Sequence, residues 1–213
     1  MKTTNMLLLF ITLMITQVSL ANDRYQETMN KNIQIVYTAN TIAELQPAVN
    51  TFERIAAAEK TKWEPFYYAA FGYSMMSTQE TDNAKKDAYL DQAMNAINQA
   101  KGIAPNESEV VALEGFIYML RVSIDPASRG PQYAMLSMKI FETAIALNPE
   151  NPRAIAMKAQ MQFGTAQFFG SPTTEACATN ATALEKFTTY KSDNPLAPVW
   201  GRGMADGLAE KCK

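Results

Sequence analysis

A four-position pattern recurs three times with its internal spacing unchanged: Ala93, Ile97, Ala100 and Pro105, then Ser137, Phe141, Ala144 and Pro149, then Ala183, Phe187, Tyr190 and Pro195. A partial copy lacking the proline, Ala48, Phe52 and Ile55, lies upstream, and the first positions fall 45, 44 and 46 residues apart. Steps of four and three place the apolar members on one face of a helix. A repeat at this period implies stacked supersecondary units, each of which buries its neighbour's apolar face. Each proline ends one helix and opens the next, where a missing N–H does least harm. A second marker, Gly72, Gly115, Ala159 and Ala205, follows the same period, and the first three stand four positions after Tyr68, Val111 and Ile155. Small residues spaced against large ones let antiparallel helices interlock.

The expectation is an all-α fold, a right-handed α-solenoid of about four helical hairpins in one domain over residues 22–213. A first helix covers 23–39. The pairs are 42–60 with 63–77, 84–102 with 107–122, 132–147 with 152–167, and 176–191 with 197–211. The connections from Ser77 to Lys85, Ser123 to Gln132 and Phe168 to Thr174 read as long loops along one edge of the stack.

Residues 1–21 read as a signal peptide: Lys2, an apolar run over Met6–Ile15, and a small-x-small site at Ser19-Leu20-Ala21. The apolar run falls short of the ~20 residues that span a bilayer. A periplasmic or secreted protein with no transmembrane segment after cleavage is therefore expected. The two cysteines, Cys177 and Cys212, suit a disulfide in such a compartment, tying the last helix to the last repeat.

Absences exclude more than motifs suggest. The chain has no histidine, which removes the usual Ser-His-Asp and Cys-His nucleophile systems and the histidine-based zinc sites. With 19 basic and 21 acidic side chains there is no positive excess to neutralise phosphates, so no nucleic acid partner is expected. No paired carboxylates, calcium loop or glycine-rich phosphate loop stands out. No cofactor, no metal and no enzymatic activity are expected.

The repeated register resembles that of tetratricopeptide repeats. Ser137, Phe141, Ala144 and Pro149 match the family's second helix and closing proline well. Tyr190 departs from it, and the period exceeds the family's ~34 residues, the excess being assigned to lengthened loops within each repeat. Segments such as Asp125-Pro126-Ala127-Ser128-Arg129-Gly130, Asn148-Pro149-Glu150-Asn151-Pro152 and Asn194-Pro195-Leu196-Ala197-Pro198-Val199-Trp200-Gly201 are similar to exported tetratricopeptide proteins of Bacteroidetes-type bacteria, a group without an assigned activity.

In that family the helices marked by Gly72, Gly115 and Ala159 line a concave surface. Here the resemblance implies a trough bearing Phe66, Tyr73 and Met76, then Glu109, Phe116 and Met119, then Arg153, Gln160 and Phe163. Exposed aromatics and methionines hold peptides adaptably, with Arg153 and Glu109 fixing orientation. The opposing expectation is that a loop or the first helix fills the trough. Arg129, in the proline-bounded stretch 125–131, reaches an anionic ligand on one reading and pins neighbouring helix ends on the plainer one. Trp63, Trp200, Phe168 and Phe169 read as packing residues rather than a binding platform, and the many methionines as core filling. The leading function is a non-catalytic scaffold of the cell envelope that holds a protein or peptide partner. The alternatives are a self-associating homo-oligomer that builds an envelope complex and, last, a histidine-free enzyme.

Overall fold

The computed structural model describes residues 23–213, and the signal-peptide expectation lies outside them. Those residues are all helix and connection, with no strand among them. Helix α1 covers 23–38. It is followed by α2 (Ile42–Ala58), α3 (Glu64–Gln79), α4 (Asn83–Ile103), α5 (Ser108–Ile124), α6 (Pro126–Leu147), α7 (Pro152–Phe168), α8 (Thr174–Thr189) and α9 (Arg202–Lys211). No described helix is long and apolar enough to cross a membrane.

Local chemistry explains the boundaries. Thr41 and Glu44 close a capping box ahead of α2. Asp82 caps α4 by accepting from the Lys85 N–H, and Asn151 caps α7 by accepting from the Arg153 and Ala154 N–H groups with Pro152 at the first position. The helices then stack as the glycine marker predicts. A Cβ on Gly72 would lie 2.4 Å from Val49 of α2, and one on Gly115 would lie 2.6 Å from the Phe141 ring of α6. Only a hydrogen fits where α3 crosses α2 and α5 crosses α6. Beside the second crossing, the buried Ser137 hydroxyl donates to the Gly115 carbonyl (2.9 Å) and Ser108 donates to the Ala144 carbonyl (2.8 Å). One apolar core runs through the stack from Met29 of α1 to Ala205 of α9.

Two boundaries differ from the sequence expectation. In the two middle repeats the extra length resides in helices rather than loops: α4 has 21 residues and α6 has 22, and the α3–α4 and α5–α6 connections shrink to residues 80–82 and to Asp125, whereas the expected loop between Phe168 and Thr174 is present. The stretch 126–131 is the start of α6. Asp125 accepts from the Ser128 N–H and hydroxyl, and Pro126 takes the first turn. Pro131 removes a single N–H from the helix's solvent side. The second difference is at the C-terminus. Helix α9 begins at Arg202 instead of 197, because Pro195, Pro198 and Gly201, with φ of 99°, hold 190–201 outside helical geometry.

Candidate functional site

The inner face of the repeat is occupied by the chain's own segment 190–201. Along it Leu196, Pro198 and Trp200 are buried at every second residue, the period of an extended chain. Trp200 lies between Phe71 of α3 and Phe116 of α5, with both ring centroids 5.3 Å away. Its indole N–H donates to the Tyr67 hydroxyl at 2.8 Å. The Tyr68 hydroxyl donates to the Leu196 carbonyl at 2.7 Å, and the Val199 N–H donates to the Tyr37 hydroxyl of α1 at 3.2 Å. Burial, and secondarily the Glu109 charge, pushes the Tyr67 phenol well above its ordinary range, so it stays a neutral hydrogen-bonding group.

Arg153 and Glu109 meet beneath this segment. The guanidinium Nε donates to Glu109 Oε2 at 2.7 Å, Nη2 reaches the other oxygen, and the pair is almost wholly shielded from water. Burial pulls the Arg153 pKa down, but the hydrogen bonds and charge of Glu109 outweigh it and hold the guanidinium above its normal value. Tyr190 adds its ring 5.2 Å from the guanidinium. Both charges are thus spent on each other, and the expectation that they orient a guest is corrected.

The rest of the predicted trough divides. Met76 is fully buried in the core. Phe116 lies under Trp200. Phe163 is buried beside Ala159, Ala176 and Leu208, next to the disulfide between Cys177 and Cys212. Tyr73 donates to Glu53 of α2 at 2.7 Å. Phe66 lines a shallow cleft between α2 and α4 with Ala56 and Ala96. On α3 the inner face is therefore Tyr67, Tyr68 and Phe71, and Phe66 and Tyr73 look away from it. Arg129 forks onto Asp87 of α4 with two bonds of 2.7 Å, and holds that carboxyl below its usual range. It pins helix ends, and the anion-binding alternative is not supported.

Met119 and Gln160 reach an open site. They line a groove of about 920 Å³ bounded by the end of α5, the start of α6 and the end of α7. Met119 and Val122 come from α5, and Pro126, Ala134, Met135 and Met138 from α6. Met161, Gly164 and Phe168 come from α7, with Phe169 just beyond it. No lining residue is charged; the polar members are Ser123, Gln160, Thr165 and Gln167. Met135, Phe168 and Phe169 are 75, 59 and 72 % exposed. Trp63 and Trp200 pack as expected, the former edge-on to Tyr67, but Phe168 and Phe169 pack on no following hairpin and stand at the groove's rim. Met135 and Met138, three apart on α6, are the sequence signal for this wall. It was passed over because the methionines of helix 132–147 were read as core filling, which the exposure of Met135 corrects.

The HusA haemophore from Porphyromonas gingivalis is similar to this chain, with a TM-score of 0.78 at 25 % identity over 89 % of this chain and 92 % of its own. A thermophilic tetratricopeptide protein of Thermus thermophilus matches with a TM-score of 0.57 at 19 % identity, over 77 % of this chain and 73 % of its own. No family model and no curated protein matches. The second likeness supports the tetratricopeptide-like fold, and the first places that fold in a chain of a Bacteroidetes organism.

Proposed function

We propose that this chain is a non-catalytic carrier that holds a flat, apolar ring of the porphyrin class in the groove between α5, α6 and α7. The observation that carries the proposal is an uncharged wall of thioethers, aromatics and small residues, open on one side, in a fold shared with a haemophore. Its volume falls within the ~300–1,000 Å³ range of small-molecule sites. Flexible thioethers adapt to a broad apolar face. A haem would find no imidazole anywhere in the chain. Its ring faces would be held by Met119, Met138 and Met161, and its carboxylates would point to water across the rim, away from the uncharged wall. The leader-like segment and the disulfide support a setting in the cell envelope or outside it.

The test fills the groove. Gly164 lies on the wall within α7, and a Cβ there meets nothing within 4 Å. Gly164→Leu occupies the space and gains roughly 0.5–1 kcal/mol of helix propensity. Titration with haem and with iron-free protoporphyrin is expected to show binding to the native chain and its loss in the variant, with the thermal midpoint unchanged or raised. Equal binding by both proteins would remove the groove from consideration. No binding by the native chain would end the porphyrin reading.

A second reading is self-association through the same rim, favoured by the exposure of Phe168 and Phe169. Sedimentation of the ligand-free chain distinguishes the two: a dimer abolished by Phe168→Asp supports self-association, and a monomer supports the carrier. A protein or peptide guest on the inner face would first have to displace the 190–201 segment.

A further inference from the structure

We propose that Met135 is a sulfoxidation site, and that its oxidation expels the apolar ligand from the α5–α7 groove. The ligand half of this inference rests on the carrier reading above; the modification half does not.

Met135 is the one exposed methionine among the described residues, and Met29, Met76, Met157 and Met161 are buried. Oxidation of a thioether follows access, so a peroxide reaches Met135 before the others. A sulfur lone pair attacks one oxygen of hydrogen peroxide. The S–O bond forms as the O–O bond breaks, and the departing oxygen leaves as water with both protons. Sulfur loses two electrons and the peroxide gains them. The product is a sulfoxide, a strong dipole on what was an apolar arm.

The position makes this consequential. Met135 stands on α6 three residues before Met138, across the groove from Met161 and Phe168 of α7. No charged side chain lines the groove, and its hydroxyl and amide donors, Ser123, Gln160, Thr165 and Gln167, stand on α5 and α7 rather than on the α6 wall that bears Met135. The new acceptor must keep its water, and an apolar ring seated on the wall would strip that water away. Leaving such a group unpaired weakens ligand binding by roughly tenfold or more. A sulfoxide is reducible by methionine sulfoxide reductases, so the change is a reversible release step. A leucine keeps the wall apolar and cannot be oxidised.

The experiment treats the purified chain with limiting hydrogen peroxide, removes the peroxide, and maps sulfoxides by peptide mass. Protoporphyrin, free of iron, is then titrated. The expected result is oxidation of Met135 ahead of the other described methionines, an affinity at least about tenfold lower, and recovery after reductase treatment. Met135→Leu, whatever its starting affinity, is expected to bind equally before and after peroxide. Unchanged affinity in chain oxidised at Met135, or an equal loss in Met135→Leu, would overturn the proposal, as would earlier oxidation at Met75, Met94 or Met204. Failure of the untreated chain to bind protoporphyrin would sink the carrier reading instead. The release effect is then read with anilinonaphthalene sulfonate, whose fluorescence must fall on Met135 oxidation and persist in Met135→Leu.

Discussion

Arg153 and Glu109 sit one repeat apart on α7 and α5, at equivalent positions, with their charges facing each other out of water. Removing two ions from water is costly, and the fork of Arg153 on Glu109 offsets that only while both are present. Arg153→Met alone is expected to destabilise by about 3–5 kcal/mol, because it leaves the buried Glu109 without its counter-charge. Arg153→Met combined with Glu109→Leu should recover most of the loss. Urea unfolding at neutral pH checks both, and an equal loss in the single and double variants would mean that packing, not charge, is at stake. The sequence assigned Glu109 and Arg153 to the second helices of successive repeats, which α5 and α7 are. It could not show that they satisfy each other, since a residue's partner across 44 positions is set by how two helices rotate. The rotation of α3 about its axis, which turns Tyr67 and Phe71 to the inner face in place of Phe66 and Tyr73, has the same origin.

At the scale of elements, the start of α6 shows what periodicity can miss. Two prolines and a glycine within 126–131 look like a loop by composition, yet Pro126 fits a first turn and Asp125 caps it. What holds this turn against the stack is the fork of Arg129 on Asp87, supported by Arg121 on Asp87 and Asp91. Asp87 is held below its ordinary value by the Arg129 hydrogen bonds first, with burial opposing and the two arginine charges adding. A depressed folded pKa means the stabilisation is present above the unfolded value, ~3.9, and is lost as pH falls through the lower folded value. Asp87→Asn is therefore expected to lower stability by about 1 kcal/mol at pH 7 and to converge on the native chain at the acid end. Thermal midpoints of both proteins between pH 2 and 7 check this. Parallel curves across that range would show that Asp87 contributes no pH dependence. The helix pairs themselves were readable because the glycine and proline markers answer to sterics, and sterics act locally enough to leave a sequence pattern.

The described residues form a helical stack whose inner face is closed by its own C-terminal segment, with an uncharged groove at the side. That closure was not legible: Leu196-Ala197-Pro198-Val199-Trp200 is apolar throughout, so the sequence does not show which side chains turn inward, and the prolines were assigned to a helix start. The disulfide bears on whether the closure persists. Cys177 lies in the first turn of α8 and Cys212 follows α9, with the 190–201 segment inside the 35-position loop they close. Cross-linking a loop of this size removes unfolded freedom equivalent to roughly 3–4 kcal/mol. That stabilisation acts on α8, the inserted segment and α9, because no other element lies within the loop. Cys177→Ala with Cys212→Ala is expected to speed amide exchange across 190–211 and leave α3–α5 slower to respond. In a Trp63→Phe background, Trp200 should become accessible to a soluble quencher as the segment lifts from Phe71 and Phe116. If exchange instead rises equally from α1 to α9, the segment and the stack open as a single unit. The inserted tryptophan would then be as much a part of the core as Phe52 or Phe141.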